Sequence, residues 1–373
     1  MPESAELYLG LISGTSADGI DVALASFESR PRLHASLTHP YPEALRHRIL
    51  ALAQGDGQIA LDELGTLDVE IGRVFAAAAQ QLLKQSGLHA RDVRALGSHG
   101  QTVRHRPNPP TPYTLQLGDA NVIAEAIGIL TVADLRRRDS AAGGQGAPLA
   151  PAFHAAMLGP SEALRVVLNL GGIANITVLP GSGGEPLLGF DTGPASCLLD
   201  AWIQKTSGKP YDADGAFAAS GAVNATLLAR LLAEPYLQLP PPKSTGREVF
   251  HLRWLEPQLE GLDLSAADVQ ATLMAFTAQT ITDAVRTHAP QVAEVLVCGG
   301  GAHNTALMRA LSAALAPTPV RSSAVFGIDP DFVEAMLIAW LARERVLGRP
   351  APGIHFATGA RGPRVLGALY FGV

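Results

Sequence analysis

Residues 8–24 read Tyr-Leu-Gly-Leu-Ile-Ser-Gly-Thr-Ser-Ala-Asp-Gly-Ile-Asp-Val-Ala-Leu, and the fold expected for the chain follows from them. Apolar residues on both sides of a polar centre predict a strand, a tight turn and a second strand. Such a turn offers backbone N–H groups and hydroxyls to a phosphate chain. Its carboxylates, Asp18 and Asp21, would repel bare phosphate unless a divalent cation lies between. The stretch therefore predicts either a magnesium nucleotide site or an ordinary hairpin, because Gly, Ser, Thr and Asp are also common turn formers.

A second stretch of the same kind begins at Arg165. Residues 165–179 form an apolar run, a Gly171-Gly172 turn and another apolar run, followed by a predicted strand at Pro186–Pro194 and a helix at Ala195–Lys205. Hairpin, strand and helix therefore recur in both halves, although sequence identity between the halves is negligible. At 373 residues two domains are expected. We place them at residues 1–150 and 151–373, with the extreme C-terminus able to return to the first.

Helical periodicity and apolar runs predict the remaining elements. Helices are expected at Leu61–Gly87, Ala120–Gly128, Ser265–Ala289, Thr305–Leu315 and Asp331–Leu347, and strands at Ile129–Asp134 and Val295–Cys298. A short strand from Val93 is expected to run into a polar loop at Gly97–Thr102. The glycine-rich segment Asp139–Pro148 is expected to be a linker or a ligand cover.

Composition excludes several classes of protein. Hydrophobic residues make up 47% and charged residues 17%, as in a folded globular chain. A net charge of -6 gives no electrostatic footprint for nucleic acid. The two cysteines, Cys197 and Cys298, suggest neither a disulfide framework nor a zinc site. No apolar run is long enough for a membrane span and no signal sequence is visible, so we expect a cytoplasmic protein that binds no membrane.

Common nucleotide and hydrolase motifs, including Walker A, G-x-G-x-x-G after a strand and G-x-S-x-G, are missing. What remains is three polar turns in order: residues 12–21, residues 169–177 and Gly299-Gly300-Gly301 after a strand. This order is the pattern of nucleotide phosphotransferases with an actin-like or hexokinase-like fold. The expected fold class is therefore α/β, with two ribonuclease H-like lobes around a central cleft.

Asp191 is the strongest single candidate for chemistry. It ends a predicted buried strand and is followed by Thr192-Gly193-Pro194, so a ligand could approach its carboxylate closely. The alternative is that Asp191 caps the helix that begins near Ala195. The triglycine turn suggests a flat surface approached by an adenine or ribose, or else a flexible hinge.

Four further features each carry a functional and a structural interpretation. His99 lies among small and polar residues, which fits contact with sugar hydroxyls or exposure to solvent. Glu334 begins the last helix, where its carboxylate would complement the helix dipole. Arg136 and the segment Pro240–Glu248 could each hold an acidic substrate group or be exposed.

Taken together, these motifs resemble the anhydro-N-acetylmuramic acid kinases, within the actin/hexokinase-like superfamily, over nearly the whole chain. The stretches that carry the resemblance are residues 13–21, 97–102, 134–148, 169–177, 189–194, 241–250 and 299–304. Two departures are visible: the family usually has Gly-Asn where this chain has Ala195-Ser196, and Met where it has Ile12.

The resemblance implies roles for individual residues. Asp191 would be the catalytic base, and Arg136 and Glu334 would lie on the sugar side, where the residues around His99 also place that side chain. The resemblance makes the first turn the ATP phosphate loop, that is Gly14, Thr15, Ser16, Ala17, Asp18, Gly19, Ile20 and Asp21. The pattern of polar turns adds Gly171, Gly172, Gly299, Gly300 and Gly301 to the residues expected to bind ATP. No protein metal site is expected, because Mg²⁺ would be carried by ATP, with a water-mediated contact near Asp18.

The resemblance also implies the reaction. The substrates would be ATP and 1,6-anhydro-N-acetylmuramic acid, in the recycling of cell-wall amino sugars, and the enzyme would be a homodimer. Two other functions stay open at this point. One is a conventional sugar kinase that phosphorylates a free hydroxyl, and the other is a non-enzymatic, actin-like ATP switch.

Overall fold

A computed structural model describes residues 5–28, 30–55, 58–107, 110–158, 162–181, 187–241, 243–247 and 249–372. The chain forms two compact units. Unit 1 comprises residues 1–157 and 327–373, and unit 2 comprises residues 158–326. Of the predicted segments, Pro186, Pro242 and Glu248 lie outside the described residues. No helix in the described ranges is long and apolar enough to cross a membrane.

The N-terminal part of unit 1 alternates strands and helices. Its elements are β1 (Leu7–Ser13), β2 (Ile20–Ser26), β3 (Arg32–His39), α1 (Glu43–Gln54), α2 (Leu61–Ser86), β4 (Val93–Arg106), β5 (Tyr113–Leu117), α3 (Ala120–Ile127), β6 (Thr131–Ala133), α4 (Arg137–Ala141) and α5 (Ala150–Leu158). Helix α2 ends because Gly87 takes the left-handed conformation and donates its N–H to Leu83 and Lys84 carbonyls.

Unit 2 repeats this alternation with its own elements. These are β7 (Arg165–Leu170), β8 (Ile173–Leu179), β9 (Leu188–Pro194), α6 (Ser196–Ser207), α7 (Ala216–Ala219), α8 (Ala225–Leu232), α9 (Leu252–Leu259), α10 (Ala266–His288), β10 (Glu294–Cys298), α11 (Thr305–Ala314) and β11 (Val320–Ser322). The chain then completes unit 1 with α12 (Val333–Val346), α13 (Ile354–Thr358) and β12 (Ala368–Tyr370).

The two sheets share one topology. In unit 1 the order is β12-β6-β4-β1-β2-β3, with β5 paired to β4, and in unit 2 it is β11-β10-β7-β8-β9. The first three strands of each unit pair antiparallel, as β1-β2-β3 and as β7-β8-β9. The first strand of each unit also pairs in parallel with a later strand, β1 with β4 and β7 with β10. The recurrence expected from the two sequence stretches is therefore present in three dimensions, and the predicted α/β fold class is confirmed.

Helix α12 packs directly on the unit 1 sheet because two strand glycines leave room for its backbone. A Cβ on Gly10 of β1 would collide with Ala335 O and Ala339 N, and one on Gly97 of β4 would lie 2.9 Å from Ile338 Cγ2. The helix is almost wholly buried, and its sequence shows little amphipathic periodicity because apolar residues occur on all of its sides. Its packing brings residues 327–373 into unit 1, whereas the predicted boundary had placed this helix in the second domain.

Two predicted loops have more structure than expected. Residues 97–102 were expected to form a loop, but β4 continues through them, pairing with β1 as far as Gln101 and with β5 beyond it. The loop prediction was wrong because polar, small residues can occupy a strand buried on both faces. The segment 139–148 begins inside α4. Buried Asp139 fixes it by accepting hydrogen bonds from Gly146 N and Thr358 Oγ1, each at 2.8 Å.

Candidate functional site

The turn between β1 and β2 is held in one conformation by bonds to its carbonyls. Ala17 N donates to Gly14 O at 3.0 Å, and Ala17 has a positive φ of 50°, which is uncommon for a residue with a side chain. Arg46 of α1 donates from Nε to Ala17 O at 3.0 Å and from Nη2 to Ser16 O at 3.3 Å. The carbonyls of Gly14, Ser16 and Ala17 are thus hydrogen-bonded within the protein, whereas Gly14 and Thr15 are exposed to solvent.

Gln101 braces the same turn from the sheet. Its Nε2 donates to Gly14 O at 3.1 Å, its Oε1 accepts from Tyr41 Oη at 3.2 Å, and the residue is fully buried. Burial raises the pKa of Tyr41, so its hydroxyl stays a donor. The turn is thus preorganised by the protein itself, as a site that binds phosphate through backbone groups requires.

The two carboxylates of the turn have different surroundings. Asp18 is largely exposed and pairs with Arg46 Nη2 at 2.8 Å, so this ion pair contributes little to stability. Asp21 lies on β2 and accepts a hydrogen bond from Thr38 Oγ1 at 2.6 Å. Burial raises the pKa of Asp21, the Thr38 bond lowers it, and the negative charge of Asp331 raises it again. Asp18 is therefore the more open of the two to water around a phosphate-bound cation.

His99 and Arg136 form a buried pair. Because the carbonyl of Gly100 can only accept, His99 Nδ1 carries the proton and donates to Gly100 O at 2.9 Å. His99 Nε2 is then the acceptor for Arg136 Nε, at 2.8 Å. Burial, reinforced by the charge of Arg136, lowers the pKa of His99 to about 3, which keeps the imidazole neutral. Both ring nitrogens are bonded within the protein and His99 is buried, so the alternative of exposure to solvent is wrong, whereas the contact with sugar hydroxyls stays a prediction.

Arg136 links this pair to Glu334. Its Nη1 donates to Gly146 O at 2.8 Å, in the glycine-rich segment that follows α4. Burial lowers the pKa of Arg136 to about 10, against the opposing effect of the Glu334 charge. The pKa of Glu334 is raised by burial, lowered by Arg136 and raised by Asp21. The sequence-predicted sugar-side residues His99, Arg136 and Glu334 therefore form one polar cluster of unit 1, in which His99 is buried, Arg136 is half-buried and Glu334 is exposed to solvent, with Asp21 within electrostatic reach of Glu334.

In unit 2, the turn between β7 and β8 is bonded to the start of α6. Ser196 N donates to Gly171 O at 3.1 Å, and Ala195 N and Cys197 N donate to Gly172 O at 3.0 and 3.1 Å. These bonds satisfy helix N–H groups that a capping side chain would otherwise take, and α6 has no side-chain cap. The Ala195-Ser196 departure from the family pattern thus lies where backbone bonds define the helix start.

Asp191 does not cap α6. It lies on β9, opposite Asn175 of β8, and its Oδ2 accepts a hydrogen bond from Thr245 N at 2.9 Å. Its backbone carbonyl accepts from Tyr236 Oη at 2.8 Å. The capping alternative is therefore wrong, because the strand ends three residues later and the carboxylate is directed to the segment around residue 245.

That segment also brings a cation close to Asp191. Lys243 Nζ donates to Leu237 O at 3.0 Å and lies 4.8 Å from the centre of the Tyr236 ring. Burial lowers the pKa of Lys243 and the charge of Asp191 raises it, which places the two groups within electrostatic reach. Arg247 lies over the second turn, since a Cβ on Gly172 would be 3.3 Å from its Nη2. Of the segment 240–248, the described residues thus pack around Asp191 and the Gly171-Gly172 turn.

The three glycines of the third turn are needed for different reasons. Gly299 has a φ of 81°, and a Cβ there would meet Leu170 O at 2.8 Å. A Cβ on Gly301 would lie 2.6 Å from Leu170 Cβ, whereas one on Gly300 would have no neighbour within 4 Å. Close packing on the end of β7 therefore accounts for Gly299 and Gly301, and Gly300 is the most exposed of the three.

Sequence reasoning missed Arg46, Gln101 and Lys243 as parts of these sites. Arg46 and Lys243 reach their partners from segments 28 and 52 residues away, at Asp18 and Asp191. Gln101 sits inside a recognised polar stretch, but its neighbours across the sheet could not be read locally. No group of three His, Cys, Asp or Glu side chains suited to a metal occurs among the residues that the structure describes.

The two sheets share an order of five strands, with a polar turn after the first strand of each, and this topology is the actin/hexokinase-like fold expected from the sequence. A solved structure with this fold is component A of the (R)-2-hydroxyglutaryl-CoA dehydratase from Acidaminococcus fermentans, which matches 92% of this chain and 100% of its own length with a TM-score of 0.50 and 13% identity. At that identity the likeness concerns the fold alone.

Sequence relatives narrow the class to one family. A model of the anhydro-N-acetylmuramic acid kinase family matches residues 6–372. An anhydro-N-acetylmuramic acid kinase from Xanthomonas campestris pv. campestris (strain 8004) is 56% identical over 98% of this chain and 97% of its own length. Those from Xylella fastidiosa (strain Temecula1 / ATCC 700964) and Coxiella burnetii (strain Dugway 5J108-111) are 52% and 45% identical, over 99% and 98% of this chain and 97% and 98% of their own. The chain belongs to the anhydro-N-acetylmuramic acid kinase family, as its motifs had suggested.

Proposed function

We propose that this protein opens 1,6-anhydro-N-acetylmuramic acid and phosphorylates its O6 with ATP, giving N-acetylmuramic acid 6-phosphate and ADP. The observation that carries the proposal is the family match over residues 6–372, which includes every candidate site residue. Because O6 of the substrate is bonded to C1, it cannot accept a phosphoryl group until that bond breaks. Ring opening and phosphoryl transfer must therefore be coupled.

Asp191 is the proposed general base. Its carboxylate would accept a proton from a water that attacks C1, while the C1–O6 bond breaks and O6 forms a bond to the γ-phosphorus, releasing ADP. The hydrogen bond from Thr245 N holds one carboxylate oxygen and fixes the group on β9. Because the departing O6 goes to phosphorus, no second carboxyl is needed as an acid, unlike the usual pair in glycosidases.

ATP binding is proposed for the polar turns. In unit 1 the assigned residues are Gly14 to Asp21. Arg46 and Gln101 already bind the carbonyls of Gly14, Ser16 and Ala17, which favours the N–H groups and hydroxyls of the turn as the contacts to phosphate. In unit 2 they are Gly171, Gly172 and the triglycine segment, of which Gly300 is the open position. Magnesium would neutralise charge on the phosphates. Mg²⁺ commonly keeps most of its ligands as waters and phosphate oxygens, which fits exposed Asp18 as a water-mediated contact.

The sugar side is proposed for the polar cluster of His99, Arg136 and Glu334 in unit 1. Arg136 supplies a guanidinium that His99 orients through Nε and Gly146 through Nη1. Glu334 balances its charge. A guanidinium held in this way suits the carboxylate of a muramic acid. The cytoplasmic location and the homodimer expected from the sequence stay predictions.

The test uses the anhydro sugar, ATP and magnesium in water enriched in oxygen-18. We expect a sugar phosphate whose mass shows one solvent oxygen, located at C1 by fragmentation. Asp191→Asn keeps an acceptor for Thr245 N but no base, so turnover should fall by about 10²–10⁴-fold while ATP binding is retained. A product without solvent oxygen would contradict ring opening and would indicate conventional phosphoryl transfer to a hydroxyl. Near-normal turnover of Asp191→Asn would show that Asp191 is not the general base.

A further inference from the structure

Unit 1 contains a cavity of about 590 Å³ that the proposed reaction does not use. It is lined by Asp134, Arg137, Arg138, Arg345, Val365, Gly367 and Ala368. Its volume falls in the range of small-molecule sites, about 300–1,000 Å³. The lining contains three guanidinium groups and one carboxylate, so the cavity carries an excess of positive charge.

The arginines are positioned by the fold and keep much of their donor capacity. Arg137 Nε bonds Asp134 Oδ1 at 2.7 Å, and Arg345 Nε bonds Gly367 O at 2.8 Å. Within the described ranges of the chain, neither Arg137 nor Arg345 forms a hydrogen bond through Nη1 or Nη2, and Arg138 has no hydrogen bond or ion pair. Planar guanidinium ends with unused N–H groups are suited to bidentate contact with an oxyanion.

The backbone of the cavity is built from two uncommon conformations. Asp134 has a φ of 58°, a left-handed value that costs energy for a residue with a side chain. Gly367 has a φ of 90°, and a Cβ there would lie 2.7 Å from Val132 Cγ1. The first directs the Asp134 carboxylate to Arg137, and the second brings the Gly367 carbonyl to Arg345. Strain at Asp134, next to guanidinium groups with unused N–H donors, is typical of a binding site.

We propose that this cavity binds a small phosphomonoester through Arg137, Arg138 and Arg345. A phosphate group carries a charge of about −1.5 to −2 near neutral pH, whereas a single carboxylate carries −1. Phosphate therefore matches the excess of two positive charges in the lining, and its three terminal oxygens can each face a guanidinium. The volume exceeds what inorganic phosphate fills, which favours an ester with a small organic group.

Calorimetric titration tests the site on the intact enzyme, saturated with magnesium and a non-hydrolysable ATP analogue so that the nucleotide site is closed to added phosphate. Glucose 6-phosphate and inorganic phosphate are the two probes, and stronger binding of the ester identifies the source as an organic phosphate. Arg138→Gln should weaken binding at least about tenfold, since the loss of one charged hydrogen-bonding pair has about that effect. Arg91→Gln, an exposed arginine elsewhere in unit 1, is the matched control.

Arg345→Gln provides a second variant, and the melting temperature of each variant shows whether it is folded. The measurement needs no turnover, so its outcome is independent of the proposed reaction. Absence of binding by the wild-type enzyme at about 1 mM of either probe, or equal binding by wild type and Arg138→Gln, would overturn the site. The site would also be overturned if Arg91→Gln weakened binding as much as Arg138→Gln does, because the loss of affinity would then follow from the change in net charge alone.

Discussion

Replacing Gly10 by alanine should move α12 and thereby affect both stability and sugar binding. The added Cβ would collide with Ala335 O and Ala339 N and lie 3.0 Å from Ala339 Cβ. Because two of these three neighbours are backbone atoms, no side-chain rotation relieves the clash. Non-bonded heavy atoms prefer separations of about 3.5–4.0 Å, so the helix would have to move by about 1.5 Å.

The expected cost follows from that displacement. Overpacking of a core lowers the free energy of unfolding by about 1–3 kcal/mol. Because the neighbours here are rigid, we expect a loss at the upper end, about 3 kcal/mol. For a unit of about 200 residues, this free energy corresponds to a fall of about 6–12 °C in melting temperature. Glu334 precedes Ala335 on the same helix, so the KM for the sugar should rise as well.

Gly65→Ala is the matched control. This glycine lies on the exposed side of α2, and a Cβ there would have no neighbour within 4 Å. The same chemical change should stabilise the protein there by about 0.5–1 kcal/mol, because alanine is the better helix former. Scanning calorimetry and steady-state kinetics measure both effects. A Gly10→Ala protein that melts within about 1 °C of wild type would refute the packing of α12 on β1.

Two further predictions concern acid stability and the triglycine turn. Burial lowers the pKa of His99 and of His154 to about 3 in the folded protein, whereas the unfolded value is about 6.5. Between these two values the unfolded chain binds more protons than the folded one, so the free energy of unfolding decreases as the pH is lowered. From about pH 7.5 to about pH 5.5 each histidine should cost about 1.4 kcal/mol, partly offset by Glu334, whose raised pKa has the opposite sign. Urea unfolding should show that the free energy of unfolding decreases as the pH is lowered across this range. A constant or increasing free energy of unfolding would contradict the neutral buried imidazoles. Gly301→Ala should destabilise unit 2 by about 1–3 kcal/mol, because its Cβ meets Leu170 at 2.6 Å, whereas Gly300→Ala should leave melting unchanged and raise the KM for ATP. Equal melting temperatures for these two variants would show that packing on β7 does not distinguish the glycines.

Local pattern was sufficient for most of the secondary structure. Helix α2 was predicted at residues 61–87 and extends over Leu61–Ser86, and α10 was predicted at residues 265–289 and extends over Ala266–His288. Both predictions were close because apolar spacing and terminal residues act within a few positions of the chain. The prediction at residues 97–102 failed because a strand buried on both faces shows no alternation of polar and apolar residues.

The candidate sites were predictable in part. The polar turns and Asp191 were visible because small residues and a carboxylate at a strand end form a local signal. The role of His99 could not be predicted, since it depends on the direction of two ring nitrogens toward Gly100 and Arg136. Nor could sequence distinguish Gly300 from its neighbours, because the difference lies in the distance to Leu170, about 130 residues earlier in the chain.

The sequence by itself determined the order of strands and helices, the polar turns and the family, because each rests on periodicity or on motifs that are contiguous in the chain. Tertiary structure alone decided that α12 completes unit 1 and that Arg136, His99 and Glu334 form one polar cluster. It also decided that three arginines line one cavity. The physical reason is that these contacts join residues from distant segments, and their energies depend on burial and geometry that exist only after the sheet has formed.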